Sequence, residues 1–222
     1  MNIKSPLQAQ AYEGLKEKIL SGQLDTETLY SETKMATEMG ISRTPMREAL
    51  QCLSQDGYIT VIPSKGFKIR QLNERTMLES IQIRCAIEGF CVHQIASEID
   101  TSKGQKLLRA LDTLLARQEK SLTAKDFPKS FMEYDHKFHV LLVDYVDNQE
   151  FRHTFQRLMY LVHLTTQSAL SIPGRIESTM TEHRQFFDAL SSGDGDNAYR
   201  MLMEHLNKPI DMHVETYYQS KK

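Results

Sequence analysis

Residues 29 to 67 leave this chain few folds to choose from, because nearly every turn in the stretch carries its own punctuation. Ser31 can cap a short helix, since a hydroxyl suits the free N–H groups of an opening turn. Met35, Ala36 and Met39 give that helix an apolar stripe, and Gly40 is a natural left-handed stop. Ser42 stands where a cap for a second helix belongs, with Pro45 in its first turn, where a missing N–H costs little. Met46, Ala49, Leu50 and Leu53 then recur at helical spacing and face inward. Arg43, Thr44 and Arg47 are left outward near the helix N-terminus, side chains suited to phosphates and base edges on a helix end that a major groove accepts. After Gly57, residues 58–62 and 67–70 read as two strands around Pro63-Ser64-Lys65-Gly66. The expectation is a winged helix-turn-helix.

Before it, residues 5–21 form a helix whose stripe is Ala9, Tyr12, Leu15, Ile19 and Leu20. After it, residues 71–73 are a short link, with Asn73 a plausible cap for the next helix. From residue 74 onward no convincing strand occurs. Helical segments are expected at 74–98, 101–121, 126–147, 149–170, 173–192 and 194–217, separated by Asp, Asn, Pro and Gly punctuation, with a frayed end from Gln219. The first of these is apolar on more than one side (Ile81, Ile83, Ile87, Phe90, Val92, Ile95), which predicts a helix packed between others. The fold class is therefore mainly α: a winged helix-turn-helix domain over residues 1–71, then an all-helical bundle over residues 74–218.

A length of 222 residues suffices for two modest domains, each with its own core. A net charge of −2 excludes a protein that coats nucleic acid by bulk electrostatics, so any DNA contact needs a local patch. Cys52, Cys85 and Cys91 stand at no ligand spacing and read as small buried hydrophobes in a reducing compartment. With no leader-type segment and no stretch near the roughly 20 apolar residues of a membrane span, the expectation is a soluble, cytoplasmic protein without a membrane partner.

The informative residues of the bundle are polar ones inside apolar stripes. Asp135 and His139, at i, i+4, fall among Phe131, Phe138, Leu142 and Tyr145. His183 lies among Ile176, Met180, Phe187 and Leu190, and His205 joins the side of Ala198, Leu202 and Met212. Burying such groups costs several kcal/mol each unless something satisfies them. One divalent cation satisfies all four; three imidazoles and a carboxylate suit zinc first, with nickel, manganese or iron also possible. Spacing alone leaves the plainer alternative open, separate core histidines with hydrogen-bond partners. Arg84 shares a face with Met77, Ile81, Glu88 and Cys91, and its plain reading is an ion pair with Glu88. His163, on a face with Met159, Thr166 and Leu170, is a further candidate for lining a cavity, whereas His93, His136, His153 and His213 read as structural or surface residues.

The run Gly40-Ile41-Ser42-Arg43-Thr44-Pro45-Met46-Arg47-Glu48-Ala49-Leu50, followed by Gly57-Tyr58 and Lys65-Gly66-Phe67, closely resembles the DNA-binding domain of the GntR family of bacterial transcription regulators. The layout Asp135-xx-Phe138-His139, Glu182-His183-Arg184, then Ala198 and His205, is similar to the FCD-type effector domain of its FadR-type subfamily. The resemblance implies that Arg43 and Arg47 read base edges, that Ser42 and Thr44 hold phosphates, and that the wing glycine Gly66 enters the minor groove. Ser31, Pro45 and Lys65 complete the expected DNA-contacting set. It implies further that Asp135, His139, His183 and His205 bind a metal, and that Arg84 lines the cavity beside it, where a small organic acid can ligate the ion and accept a guanidinium fork. His163 is kept as an effector-contacting candidate. The function implied is a ligand-responsive regulator, a repressor by the commoner arrangement, acting as a homodimer on a near-palindromic operator. Two rivals remain: a metal-dependent enzyme with a DNA-binding head, and a DNA-binding dimer with a purely structural metal. Glu133 and Glu182, the carboxylates next to candidate ligands in sequence, are expected to point elsewhere, which leaves no general base and favours a non-enzyme. One departure stands upstream, where Leu24-Asp25-Thr26-Glu27 replaces the usual Pro-Gly.

Overall fold

A computed structural model describes the backbone of residues 5–219 and the side chains as far as Met212. Contacts divide the chain into two compact units, one of the residues up to Leu72 together with Gln156–Leu161, the other of Asn73–Phe155 with the residues from Val162 onward.

In the first unit, α1 (Pro6–Leu20) begins with Pro6 at its first turn and with the Ser5 hydroxyl accepting from the Gln8 N–H at 3.2 Å. Its buried face is Gln8, Ala11, Tyr12, Leu15 and Ile19, while the expected Ala9 and Leu20 are only half-buried at the flanks. That face packs on α3 (Arg43–Gln55), where the Tyr12 hydroxyl donates to Asp56 Oδ2 at 2.6 Å. Between them lies α2 (Glu32–Glu38), capped as expected by Ser31, with Gly40 at φ +64° in the turn after it. Met46, Ala49, Leu50 and Leu53 form the buried face of α3. Strands β1 (Ile59–Ile62) and β2 (Gly66–Ile69) pair antiparallel, Ile59 opposite Ile69 and Ile62 opposite Gly66, each shifted by about a residue from the sequence expectation. Tyr30 adds a bridge to Phe67, and their rings stack at 5.5 Å. Gly66 sits at φ +131° against the Tyr30 carbonyl, where a Cβ has no room. In the loop that lacks Pro-Gly, Asp25 supplies the turn instead, accepting from the Glu27 N–H at 3.1 Å and the Thr28 hydroxyl at 2.8 Å.

The second unit starts with α4 (Glu74–Ser97), entered through a capping box between Asn73 and Thr76. It continues with α5 (Ser102–Ser121), α6 (Lys129–Tyr145), both ends of α7 (Gln149–Leu170, whose Gln156–Leu161 belong to the first unit), α8 (Arg175–Ser191) and α9 (Gly195–Gln219). The frayed tail expected past Gln219 lies outside the described residues. α4 packs against α6, α8 and α9, α5 against α6 and α8, and α8 along α9. Leu111, Leu115, Phe131, Phe138, Leu142, Phe186, Leu190, Ala198 and Leu202 fill the shared core, each worth about 1.5–3 kcal/mol of burial for the larger side chains. α4 is less enclosed than its composition predicts. Ile81, Ile87, Val92 and Ile95 are buried, but Leu78, Ile83 and Phe90 remain on the surface, because neighbours cover only part of its circumference. Of the cysteines, Cys91 is buried, and its burial pushes the thiol up to about 12; Cys52 and Cys85 are half-buried, and all three are free. Among the described residues no helix is long and apolar enough to cross a membrane.

Candidate metal centre and nucleic-acid interface

α6 delivers Asp135 and His139 from successive turns of one face, α8 delivers His183, and α9 delivers His205. All four are buried, and their ligand-type atoms lie within 4.8 Å of one another. Each imidazole is held from behind through Nδ1. His139 Nδ1 meets Glu88 Oε2 at 2.6 Å, His183 Nδ1 meets Gln118 Oε1 at 3.0 Å, and His205 Nδ1 meets Glu182 Oε2 at 2.7 Å. An acceptor at Nδ1 fixes the proton there and turns the Nε2 lone pair forward. His183 Nε2 and His205 Nε2 come within 3.2 Å of each other, Asp135 Oδ1 is 3.6 Å from His183 Nε2, and buried His139 Nε2 has no partner. Three lone pairs and a carboxylate facing one point are a donor set for a divalent cation, and these residues fit one.

The surroundings keep two of the imidazoles in ligating form. Burial holds His139 and His183 well below the usual imidazole range, so both are neutral at neutral pH. The same burial raises the carboxyls of Asp135 and Glu88. For Glu182 burial also pushes upward, but hydrogen bonds from His205 and Arg175 outweigh it and hold the group below the usual range. Phe138 stacks on His183 at 4.7 Å and 15°, fixing the ring plane.

Two arginines stand behind this centre. Arg84 Nε donates to Glu88 Oε1 at 2.7 Å, so one carboxylate joins Arg84 to His139, while Arg84 Nη2 is buried without a partner. Arg175, the first residue of α8, grips both oxygens of Glu182 at 2.6 and 2.8 Å, and Glu182 in turn holds His205. Ser80, Arg84, Asp135, Thr165, Arg175 and His205 line one cavity. The structure does not bring His163 there: Val162, Thr165, Thr166 and Ala169 form the cavity face of α7, and His163 is turned about 100° from Val162, against the ring of His136 at 5.8 Å. Glu133 does point outward, to Lys137 at 2.6 Å, but Glu182 does not. Gln118 and Arg175 are site residues that the sequence reading passed over, Glu88 was read only as an ion-pair partner of Arg84, and Glu182 was expected to point elsewhere.

In the first unit, Ser31, Arg43, Arg47, Lys65 and Gly66 surround one cleft between the helices and the wing. Glu32, unanticipated, lies in the same cleft and pairs with both arginines, Arg47 Nη2 at 3.1 Å and Arg43 Nε at 3.6 Å. Thr44 and Ser42 are exposed beside it at the N-terminus of α3, and Pro45 is half-buried. Ser42 occupies the cap position but makes no capping bond, contrary to expectation. The third residue of the helix, whose N–H such a hydroxyl would accept, is Pro45. Ser31, by contrast, spends its oxygen on the Lys34 N–H.

Comparison with known proteins covers both units. Residues 7–69 match the model of bacterial regulatory proteins of the gntR family, and residues 79–208 match the FCD domain. The HTH-type transcriptional repressor RspR of Escherichia coli is 26% identical over 208 residues, 94% of this chain and 89% of that protein. The solved structure of Escherichia coli McbR/YncC superposes with a TM-score of 0.70 at 19% identity, over 96% of this chain and all of that one. The Zn2+-bound FCD domain of TM0439 superposes over 68% of this chain and 99% of that chain with a TM-score of 0.52, at 19% identity.

Proposed function

The chain belongs to the gntR family of bacterial regulatory proteins and carries an FCD domain, and from that premise we propose a repressor that answers to a small organic acid. Membership makes it a DNA-binding transcription regulator with an effector domain, and not an enzyme. The finer reading assigns DNA binding to residues 1–71 and effector binding with dimerisation to residues 74–218. The observation that carries it is the convergence of three Nε2 atoms and Asp135 beside an arginine whose Nη2 is buried without a partner.

Asp135, His139, His183 and His205 would hold a divalent ion, zinc in the first place, which would supply a Lewis-acid position for a carboxylate oxygen. Arg84 donates to the same carboxylate, while Glu88 keeps both Arg84 and His139 aimed. An acid bound there shifts DNA affinity by the difference between its affinities for the two bundle packings, and by no more. Arg43 and Arg47 read base edges and Gly66 enters the minor groove, while Ser31, Ser42, Thr44, Pro45 and Lys65 set the register on the backbone. A second copy of the chain covers the outward Leu78, Ile83 and Phe90 of α4, so that two heads meet the halves of a near-palindromic operator. The name of RspR supports repression as the sign. Three free cysteines suit the reducing cytoplasm in which a chromosomal operator is met.

The test is selection of DNA from random and genomic pools by the purified protein, beside the Arg43→Ala, Arg47→Ala double variant. Enrichment of an inverted repeat that the variant fails to recover is the expected result. No enrichment by the parent protein, metal-loaded or metal-free, with or without candidate acids, sinks the reading.

A further inference from the structure

Two cavities of the helical bundle share a wall, and their contrast limits what the acid can be. The inner one, which holds Arg84, Asp135, Arg175 and His205, measures about 30 Å³, room for roughly two waters. It can take a carboxylate head and little else. The outer one measures about 230 Å³ and meets the inner across Thr165, Ala169 and Pro209. Its remaining described walls are the apolar Met77, Ile172 and Met212 and the hydroxyl-bearing Ser168 and Ser171, with no charged side chain among the described residues that line it.

Charge counting within the inner cavity points the same way. Arg84 with Glu88, and Arg175 with Glu182, are pairs that cancel. Asp135 leaves one of a divalent ion's two charges uncompensated, and a single carboxylate neutralises it. A second carboxylate would be buried without a partner, at heavy cost. On the organic-acid reading above, we infer that the effector is a monocarboxylate with an uncharged tail several atoms long, its head on Arg84 Nη2 and its tail in the chamber bounded by Met77, Ile172 and Met212.

Isothermal titration of the zinc-loaded full-length protein with acetate, butanoate, hexanoate and adipate tests this. Affinity should climb along the monocarboxylate series, by up to roughly fourfold per methylene that is fully buried. Adipate, equal in length to hexanoate but charged at both ends, should bind at least tenfold more weakly. Ala169→Phe, which fills the shared wall, should erase the advantage of hexanoate over acetate while acetate still binds. Should that variant not fold, the series on the parent protein decides alone. A flat series, or adipate equal to or tighter than hexanoate, overturns the inference while leaving an acid-binding site in place. Failure of all four acids to bind, acetate included, removes the organic-acid reading itself.

Discussion

Arg47 meets Glu32 on the open surface of the first unit, and Arg84 meets Glu88 inside the helical bundle. The two contacts differ little in length, 3.1 Å against 2.7 Å. Their side-chain exposures are 58% and 22% in the first, 9% and 0% in the second. In water such a pair contributes about 0–1 kcal/mol, so Arg47 can leave Glu32 for another acceptor at almost no cost. In the core neither partner can leave without exposing a bare charge to low dielectric. The same two residue types thus make a reusable contact in one unit and a fixed scaffold in the other.

The largest effect that would sharpen this contrast is on stability. Glu88→Ala should cost the protein about 3–5 kcal/mol in denaturant unfolding, since Arg84 is left buried and unpaired; a loss below about 1 kcal/mol would dissolve the contrast. Next comes Glu182→Gln, which keeps every candidate ligand but loosens the hold on His205 and on Arg175 together. Metal affinity, read by competition with a chelator, should fall about 10–100-fold, and an unchanged affinity would show that the glutamate merely fills space. On the exposed side, Arg47→Ala should weaken operator binding by about 1–3 kcal/mol and random-sequence binding by less. Equal losses on both DNAs in a salt-matched titration would assign the arginine to phosphates. Smallest of all, Glu32→Ala should change unfolding free energy by about 1 kcal/mol at most, and a larger loss would mean that the exposed pair is structural after all.

What could be read from sequence divides along the same line. The first unit was legible because its Ser31 cap, turn glycine and outward arginines are neighbours in the chain, where local rules apply. The four candidate ligands were legible because each interrupts an apolar stripe. Their supports were not. Glu88 lies four residues past Arg84 and seven past Ile81, and that position looks the same for a surface ion pair and for a buried one. Gln118 gave the clearest missed signal, four residues after Leu114 and seven after Leu111, a polar residue on the buried stripe of α5. Arg175 and Glu182 are seven residues apart on α8, and only the packing of α8 along α9 reveals that their pair braces His205. His163 erred the other way: helical phase alone could not say which edge of α7 the cavity takes.

Ser42 and Pro45 carry one more consequence. In most helices the residue that seals the first turn is also part of what keeps the helix folded, so evolution cannot alter it freely. Here the proline has already removed the donor that the serine would have served. Position 42 is thereby released from the job of sealing the first turn of α3. A different side chain can stand there without a compensating change elsewhere in the helix.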